Sequence, residues 1–575
     1  MRITNKMITN NASGNINGNK VLVDKTNTQM TTQKKIARPS ENPVIAIRSL
    51  RLQTTLNKVN QYYEKNIPDA ESWMDVTETA LTNIKDLITN MRTLCVNGST
   101  GTLTETDRST ILTQLKALQS QVYAEGNADY AGRTVFTGYR TDKTLTFTSD
   151  DSKTSYNIEE PLKADAIYQK RYYTNEVEVP ATPDAVMPMM SGLETKMDVK
   201  ESDYNILRFA YDDIEKIHGF TFTKYDKTSD TNVDYKTDTF TDESYTDSEG
   251  NTVNFKKATM TVSDGATNSG YTAGNVYVFE NEGDWKTHSV GNGAEKKTVG
   301  ENDIVIIKET GEMVMGNTIS SAFLTDDVSF KVDYTKTGFK NGELRPEYYF
   351  NCTQLTDSTG AGVGKFDPAT MTSDSVYDGT NAGAGIEFER IKADGSTINY
   401  EIQYTVSQNQ ELTVNMEANE FMNHDIYQDM GDMIEIVNRS INAHKKIDEL
   451  TAMKDADQYA GVKDQIEKLL EKAQKEADYA DDNMQKRYSE LLGNVDSYLE
   501  DVNLAITKMG CRGDQLAITK TRMNNQQETV EELQSTNDDM DLSDIIIKYT
   551  AAYTAYQSSL TAAGKLSQQT LLNYI

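Results

Sequence analysis

PVIAIRSLRLQTTLNKVNQYYEKNIPDAESWMDVTETALTNIKDLITNMRTLCVNG, residues 43–98, decides the fold of this chain. Apolar side chains recur through it at Ile45, Leu52, Leu56, Val59, Tyr63, Ile67, Ala70, Met74, Leu81, Ile84, Ile88, Met91 and Cys95, with Ser49 and Thr77 filling polar slots. Steps of three and four alternate, which puts these positions on one stripe of a helix in a heptad pattern. One stutter, from Tyr63 to Ile67, breaks the count, and Pro68 follows it directly. A proline inside a helix removes a backbone donor and crowds the preceding turn, so a kink or break is expected there. Asn42 is the N-cap, Pro43 suits the first helical position, and Asn97-Gly98-Ser99 ends the helix.

A helix of about 50 residues is about 75 Å long. Such a rod cannot bury its own stripe, and each large apolar side chain left in water forgoes roughly 1.5–3 kcal/mol. The far end of the chain carries a matching array at Leu491, Val495, Tyr498, Val502, Ala505, Met509, Leu516, Thr519, Met523, Val530 and Leu533, with Arg512 and Gln526 in two slots. Asn537-Asp538-Asp539 interrupts it, and a final helix continues with Leu542, Ile546, Tyr549, Tyr553, Tyr556, Leu560 and Ala563 in register. The economical arrangement pairs the two rods. The expected fold is therefore α+β, a long antiparallel coiled-coil helical bundle from the two chain ends with a β-rich inserted outer region.

Between the rods the composition changes. A shorter helix, capped by Thr104 or Thr106, shows one face of Ile111, Leu115, Leu118 and Val122, and Gly132 to Tyr139 reads as a short glycine-bounded strand. From about 140 to 410 the chain is rich in Thr, Asp, Gly, Tyr and Lys, with strand-like runs at 276–279, 303–308 and 328–332. One or two antiparallel β subdomains are expected. Helical pattern resumes near Ile426, with Met430, Ile434, Val437 and Ile441 on one face, and 454–482 reads as an exposed helical pair or extension. The resulting segments are 1–40, an assembly segment disordered in the monomer; 41–140, helical core; 141–410, insertion; 411–536, helical core with extension; and 537–575, an assembly helix. The first segment has only Ile8, Ile16, Leu22, Val23 and Met30 as apolar anchors, and the last has little of its own to pack against, so both should fold as subunits associate.

The 575 residues carry 88 acidic and 58 basic side chains, a formal charge of -30. That balance repels phosphate backbones and anionic lipid, which argues against nucleic-acid and membrane partners. No apolar run is long enough for a bilayer, and the N-terminus lacks the apolar core of a cleaved secretory signal. The three cysteines, Cys95, Cys352 and Cys511, form no CxxC pair and no disulfide framework; Cys95 and Cys511 read as small buried hydrophobes. His218, His288, His424 and His444 have no metal-ligand spacing. Arg512-Gly513-Asp514 lies in a heptad helix, Gly360 to Phe366 lacks the Ser or Thr of a phosphate loop, and Asp247 to Gly250 is too short for a calcium loop. No catalytic, cofactor or metal site is expected, so no enzyme; the residues singled out are packing and assembly positions: Leu52, Leu56, Val59, Leu81, Ile84, Ile88, Val495, Val502, Leu516, Val530, Leu533, Leu542, Ile546, Tyr549, Tyr553 and Leu560.

Several segments resemble the flagellin superfamily, and within it the hook-associated members. These are the Met1-Arg2-Ile3-Thr4 opening, Thr31 to Pro43 (TTQKKIARPSENP), Gly132 to Tyr139 (GRTVFTGY), Leu412-Thr413-Val414-Asn415 before the Ile426 helix, and the tail from Leu533 to Ile575. The resemblance covers roughly the first 140 and last 165 residues; Pro68 and the 450–482 extension depart from it. It implies a structural subunit exported unfolded through the flagellar type III channel, with no cleaved signal peptide. It further implies an extracellular place at the hook–filament junction. The implied partners are copies of itself in a ring, a neighbouring hook-associated protein, flagellin and an export chaperone. A filament subunit, flagellin itself, is the alternative; a hydrolase or adhesin displayed on a coiled-coil base would need a catalytic constellation in the insertion, and the sequence offers none.

Overall fold

The computed structural model describes residues 5–100, 103–174, 176–190, 200–226, 231–237, 239–246, 252–262, 274–287, 299–326, 328–367, 372–374, 384–392 and 395–568. The Met1 to Thr4 opening, Asp247 to Gly250, His288 and the chain's last residues from Leu571 lie outside them. Among the described residues there are seven long helices: α1 Asn5–Thr32, α2 Pro43–Gln61, α3 Ile67–Gly98, α4 Glu105–Gly126, α5 Asp425–Asp455, α6 Lys463–Asp538 and α7 Leu542–Gln568. The chain divides into two compact units, one drawn from Met1–Ser72, Gln403–Val414 and Cys511–Ile575, the other from Trp73–Ile402 and Asn415–Gly510.

In the first unit α2 and the start of α3 run antiparallel to the end of α6. Three side-chain pairs fix the register: Ser49 Oγ to Asp538 at 2.7 Å, Gln527 Nε2 to Asn60 at 3.2 Å, and Lys520 to Glu71 at 2.6 Å. Val59, Ile67, Leu516, Thr519, Met523 and Val530 are buried between them, and Leu52 and Leu56 are half-buried. Asn42 caps α2 by accepting from the Val44 and Ile45 amides at 3.2 and 3.3 Å. The break expected at Pro68 takes a mild form. Residues Tyr62–Asn66 form one π-helical turn, with the Ile67 N–H reaching the Tyr62 carbonyl. This extra residue per turn lies on the heptad stutter and immediately precedes the proline. A hairpin, Gln403–Ser407 paired with Gln410–Thr413, clasps that turn. Asn66 Nδ2 donates to the Thr405 carbonyl at 2.7 Å, Tyr404 Oη to Asp69 at 2.5 Å, and Arg522 to Ser407 at 3.2 Å. The hairpin straddles the 410 boundary drawn from sequence between insertion and helical core, and both its strands pack with the helices.

In the second unit the stripe of α3 is buried at Trp73, Met74, Leu81, Ile84, Ile88, Met91 and Cys95, opposite Leu491, Val495, Tyr498, Val502, Ala505 and Met509 of α6. Arg92 and Asp496, 2.5 Å apart, pair these helices at the surface. The α4 face Ile111, Leu115, Leu118 and Val122 is buried, and Thr104 with Asp107 forms a capping box at its start. Gly98 has a spatial duty besides ending α3: a Cβ there would lie 2.2 Å from the Tyr488 ring. Burial pushes the Cys95 thiol up to about 12, so it behaves as a small hydrophobe. Cys511, expected to be buried like it, is exposed, because it lies one position off the stripe that Met509 and Leu516 define.

The insertion holds two seven-stranded sheets. The first runs Thr261–Val262, Thr231–Thr237, Ile214–Asp226, Ser329–Phe339, Asp151–Lys163, Asn351–Thr356, Ile386–Phe388, with every neighbour antiparallel. The second runs Tyr168–Thr174, Lys200–Arg208, Glu312–Met315, Ile304–Ile307, Asn275–Phe279, Thr252–Thr259, Thr241–Thr246. It departs from the antiparallel expectation at one pair, Asn275–Phe279 with Ile304–Ile307, which is parallel. A parallel pair needs a crossover. The connection contains helix Glu282–Thr287, whose Trp285 is fully buried against Tyr172 in that sheet's core. The glycine-bounded strand expected over 132–139 shrinks to Arg133–Thr134, paired with Asp129–Tyr130. Beyond it Val135 and Phe136 turn inward instead, and the Phe136 carbonyl accepts from Ala418 N–H at 3.0 Å.

The 454–482 stretch is the tip of the α5–α6 helical hairpin, and it is not simply exposed. Leu450, Tyr459, Ile466, Leu469 and Ala473 form a core with Val177 and Val186 from the insertion. Arg512-Gly513-Asp514 lies within α6, and Gly360 sits in a turn at φ +83°. Truncating a fully buried stripe residue of α3, Ile88→Ala, should cost about 2–5 kcal/mol, read as a lowered midpoint in urea unfolding followed by circular dichroism.

Candidate assembly surface

Two turns make the corner of the first unit: residues 33–42 between α1 and α2, and 539–541 between α6 and α7. A miniature antiparallel ladder ties them together. Lys35 N–H donates to the Asp538 carbonyl at 2.7 Å and Met540 N–H to the Gln33 carbonyl at 2.9 Å, around the Lys34–Asp539 bridge. Gln33 turns the chain with φ +56°, and its N–H closes α1 on the Gln29 carbonyl at 2.7 Å. The Lys34 ammonium, 2.5 Å from Asp539, and the Ser535 hydroxyl hold that carboxyl below the usual range. Asp541 caps α7 by accepting from the Ser543 amide at 2.7 Å, and Asn537 Nδ2 reaches the Ile45 carbonyl at 3.1 Å. Residues 31–43 and 537–541, distant in sequence, thus form one structure.

From this corner α1 and α7 run antiparallel, with Asn19 Nδ2 donating to Ser559 Oγ at 3.1 Å and to the Ala555 carbonyl at 3.3 Å. Within the segment 1–40, Asn5–Thr32 is the helix α1. Each terminal helix supplies the surface that the other lacks: Thr26 and Gln29 of α1 and Ile545 and Ala552 of α7 are buried. Tyr549, Tyr556 and Ser559 extend that face as half-buried neighbours.

The stripe read from the sequence divides: Tyr549, Tyr556 and Ala563 are half-buried on the inward face of α7, and the rest flanks that face. Leu542, Ile546, Tyr553 and Leu560 are each more than two-fifths exposed, and Ile547 is 66% exposed. Tyr549 borders both faces and stacks on Tyr553 with ring centroids 6.0 Å apart. Leu533 near the end of α6 is also exposed, as are Val21 and Leu22 on α1 and Val44, Ile47 and Leu50 on α2. The remaining expected positions are buried, except Leu52 and Leu56, which are half-buried. Leu52, Leu56, Val59, Leu516 and Val530 lie in the first unit; Leu81, Ile84, Ile88, Val495 and Val502 lie in the second. Sequence reasoning missed Ile545 and Ala552 because Ile545-Ile546-Ile547 makes every side of the helix start apolar, so one stripe cannot be singled out by period alone. No group of acidic, His or Cys side chains among the described residues is arranged to hold a metal ion.

An apolar stripe in water, flanking a face of the helix that is already covered, is chemistry for binding another protein surface. Residues 3–141 match the bacterial flagellin N-terminal helical region. The chain is 29% identical over 126 residues to flagellar hook-associated protein 3 of Escherichia coli strain K12, covering 22% of this chain and 39% of that protein. It is 27% identical over 143 residues to flagellar hook-associated protein 3 of Salmonella typhimurium, covering 25% of this chain and 45% of that one. The chain thus aligns with less than half the length of these relatives. A flagellin of Clostridium tyrobutyricum is 29% identical over 122 residues, 21% of this chain and 32% of its own. Among solved structures, flagellar hook associated protein-3 of Legionella pneumophila overlaps 84% of this chain and 97% of its own, at 11% identity and a TM-score of 0.28.

The adjacent isoleucines separate folding from association. Ile545→Ala should destabilise the α1–α7 pair by about 2–3 kcal/mol. Ile546→Ala should change stability by no more than about 0.5 kcal/mol while weakening self-association, as read by thermal melts and sedimentation velocity of the same samples.

Proposed function

We propose that this chain is a structural subunit of the bacterial flagellum at the hook–filament junction, linking the hook, through a preceding hook-associated protein, to the flagellin filament. The observation that carries the reading is the exposed apolar stripe of α7, Leu542, Ile546, Tyr553 and Leu560, beside a helical region of flagellin type. A rod built from the two chain ends suits a subunit packed side by side with its copies, and the open face of the terminal helices suits completion by neighbours. Its partners are further copies in a ring, the neighbouring hook-associated protein, flagellin and an export chaperone. It is exported without a cleaved signal peptide, works outside the cell, and catalyses nothing. The insertion with its two sheets faces outward in this reading.

Flagellin is the second reading, and the match to the Clostridium tyrobutyricum protein favours it. Two hook-associated relatives match over as long or longer stretches, which favours the junction. Deleting Asp541 to Ile575 removes α7 and should abolish incorporation while leaving the second unit folded; normal filaments on cells carrying only that variant would refute the role. Immunogold labelling should mark a single point where hook meets filament. Label along the whole filament would select flagellin instead.

A further inference from the structure

Charge is unevenly spread over the first unit. The whole chain carries a formal charge of -30, yet from Asn42 to Tyr63 it has three basic residues, Arg48, Arg51 and Lys58, and no acidic one. From Met523 to Ile547 it has seven acidic residues and no basic one. The first stretch contains α2, and the second runs from the end of α6 into α7, so the two antiparallel helices of this unit carry opposite charge. The faces they turn to each other are apolar and bury Val59, Met523 and Val530. The charges point elsewhere: Arg48, Arg51, Lys58, Glu528, Glu531 and Glu532 are all exposed. Among the described residues, none of Arg48, Arg51 and Lys58 reaches a carboxylate.

Outside the buried seam each helix carries a second stripe in steps of three and four. On α2 it is Val44, Ile47, Arg51, Thr54 and Lys58; on α6 it is Ile518, Thr521, Asn525, Glu528 and Glu532; every one of them is exposed. That spacing keeps each stripe on one side of its helix, the side away from the partner helix. The two stripes therefore lie on opposite sides of the pair. The register sets their height. Ser49 meets Asp538 and Asn60 meets Gln527, so residues 51–58 and 528–532 fall between the same two contacts. A basic patch flanked by exposed Val44, Ile47 and Leu50 thus backs on to an acidic patch flanked by exposed Ile518 and Leu533. Within one chain the helix pair stands between the patches, so neither can neutralise the other.

We infer that the outer face of α2 in one copy docks on the outer face of α6 in the next, with Arg51 and Lys58 set against Glu528 and Glu532. A foreign acidic partner would account for the basic face alone. A second copy of this chain accounts for both faces and for their equal height. The contact joins two different surfaces, so each copy keeps one of each kind open and the contact repeats from copy to copy. With both patches at one height it needs no step along the helices, which suits a closed ring. The inference deepens the junction reading by saying how copies meet, but its test needs no flagellum. Its failure would remove this contact and leave the immunogold result standing, and label along the whole filament would leave this contact standing.

The test uses the full chain and two charge-reversed forms. Arg51→Glu with Lys58→Glu makes both faces acidic; Glu528→Lys with Glu532→Lys makes both faces basic. All four side chains are exposed, so both forms should keep the wild-type melting temperature. In sedimentation velocity the wild type should self-associate at about 50 mM salt and less so at about 500 mM. Each reversed form alone should associate at least about tenfold more weakly than wild type. An equal mixture of the two should recover wild-type association, because each face again meets its opposite. A carbodiimide, which joins an amine to a carboxylate it touches, should link Lys58 to Glu528 or Glu532 between isotope-labelled and unlabelled wild-type copies. A wild type that stays monomeric and gives no such link overturns the inference. So does association that either reversal leaves unchanged, or a mixture that associates no better than its separate components.

Discussion

A helix with one apolar stripe cannot shelter that stripe by itself, and everything else in this chain follows from how the stripe of residues 45–95 is covered. The cover comes from the opposite end of the sequence. In the first unit Ser49, Asn60 and Glu71 meet Asp538, Gln527 and Lys520, an antiparallel register in which the hydrophobic positions fall between the helices. In the second unit Arg92 meets Asp496 and the largest apolar side chains of both helices are interior. Burial of this extent is the dominant favourable term in folding, while exposed ion pairs such as Arg92–Asp496 contribute little and serve mainly to fix register. The residues between the paired chain ends form the strand-rich insertion. The π turn at Tyr62–Asn66 lets the stripe pass Pro68 without losing its face, and the 403–413 hairpin is the device that holds this irregular turn.

The insertion is attached to its helices by buried polar contacts as well as by an apolar core. Arg208 and Arg487 converge on Asp432, and Arg487 lies over the Tyr168 ring at 3.8 Å. Lys170 and Tyr172 share Glu312, and Lys170 draws the Glu435 carboxyl down to about 2. Buried ion pairs gain little net stability after desolvation, but removing one partner strands the other. Such contacts therefore enforce one arrangement of strands against α5 and α6. The segment 176–190 adds an apolar contribution at the hairpin tip through Val177 and Val186, so the distal core of that hairpin is completed by the insertion.

Much of this was legible in the sequence because period and capping are local. The stripe of α3, the Asn42 cap, the face of α4 and the disturbance at Tyr63 to Pro68 all follow from spacing alone. The runs at 276–279, 303–308 and 328–332 read as strands and are strands. What escaped depends on partners far away in the chain. The parallel pairing of Asn275–Phe279 with Ile304–Ile307 is set by the crossover through Trp285, and the placement of the 403–413 hairpin by its contacts with Asn66, Asp69 and Arg522. On α7, three successive isoleucines hide which face is inward, and only α1, itself too polar to be read as an anchor, decides it. The assembly face was legible as an apolar stripe with little in the chain to cover it; which of its residues turn inward was not.

The most direct test of the account joins the two ends covalently. In a chain whose native cysteines are replaced, Asn60→Cys and Gln527→Cys place thiols where the two side chains meet at 3.2 Å. Mild oxidation of dilute monomer should close this pair within single molecules in high yield, and without loss of helical signal by circular dichroism. Failure to close, or closure only between molecules, would show that the leading and trailing rods do not pair within one chain.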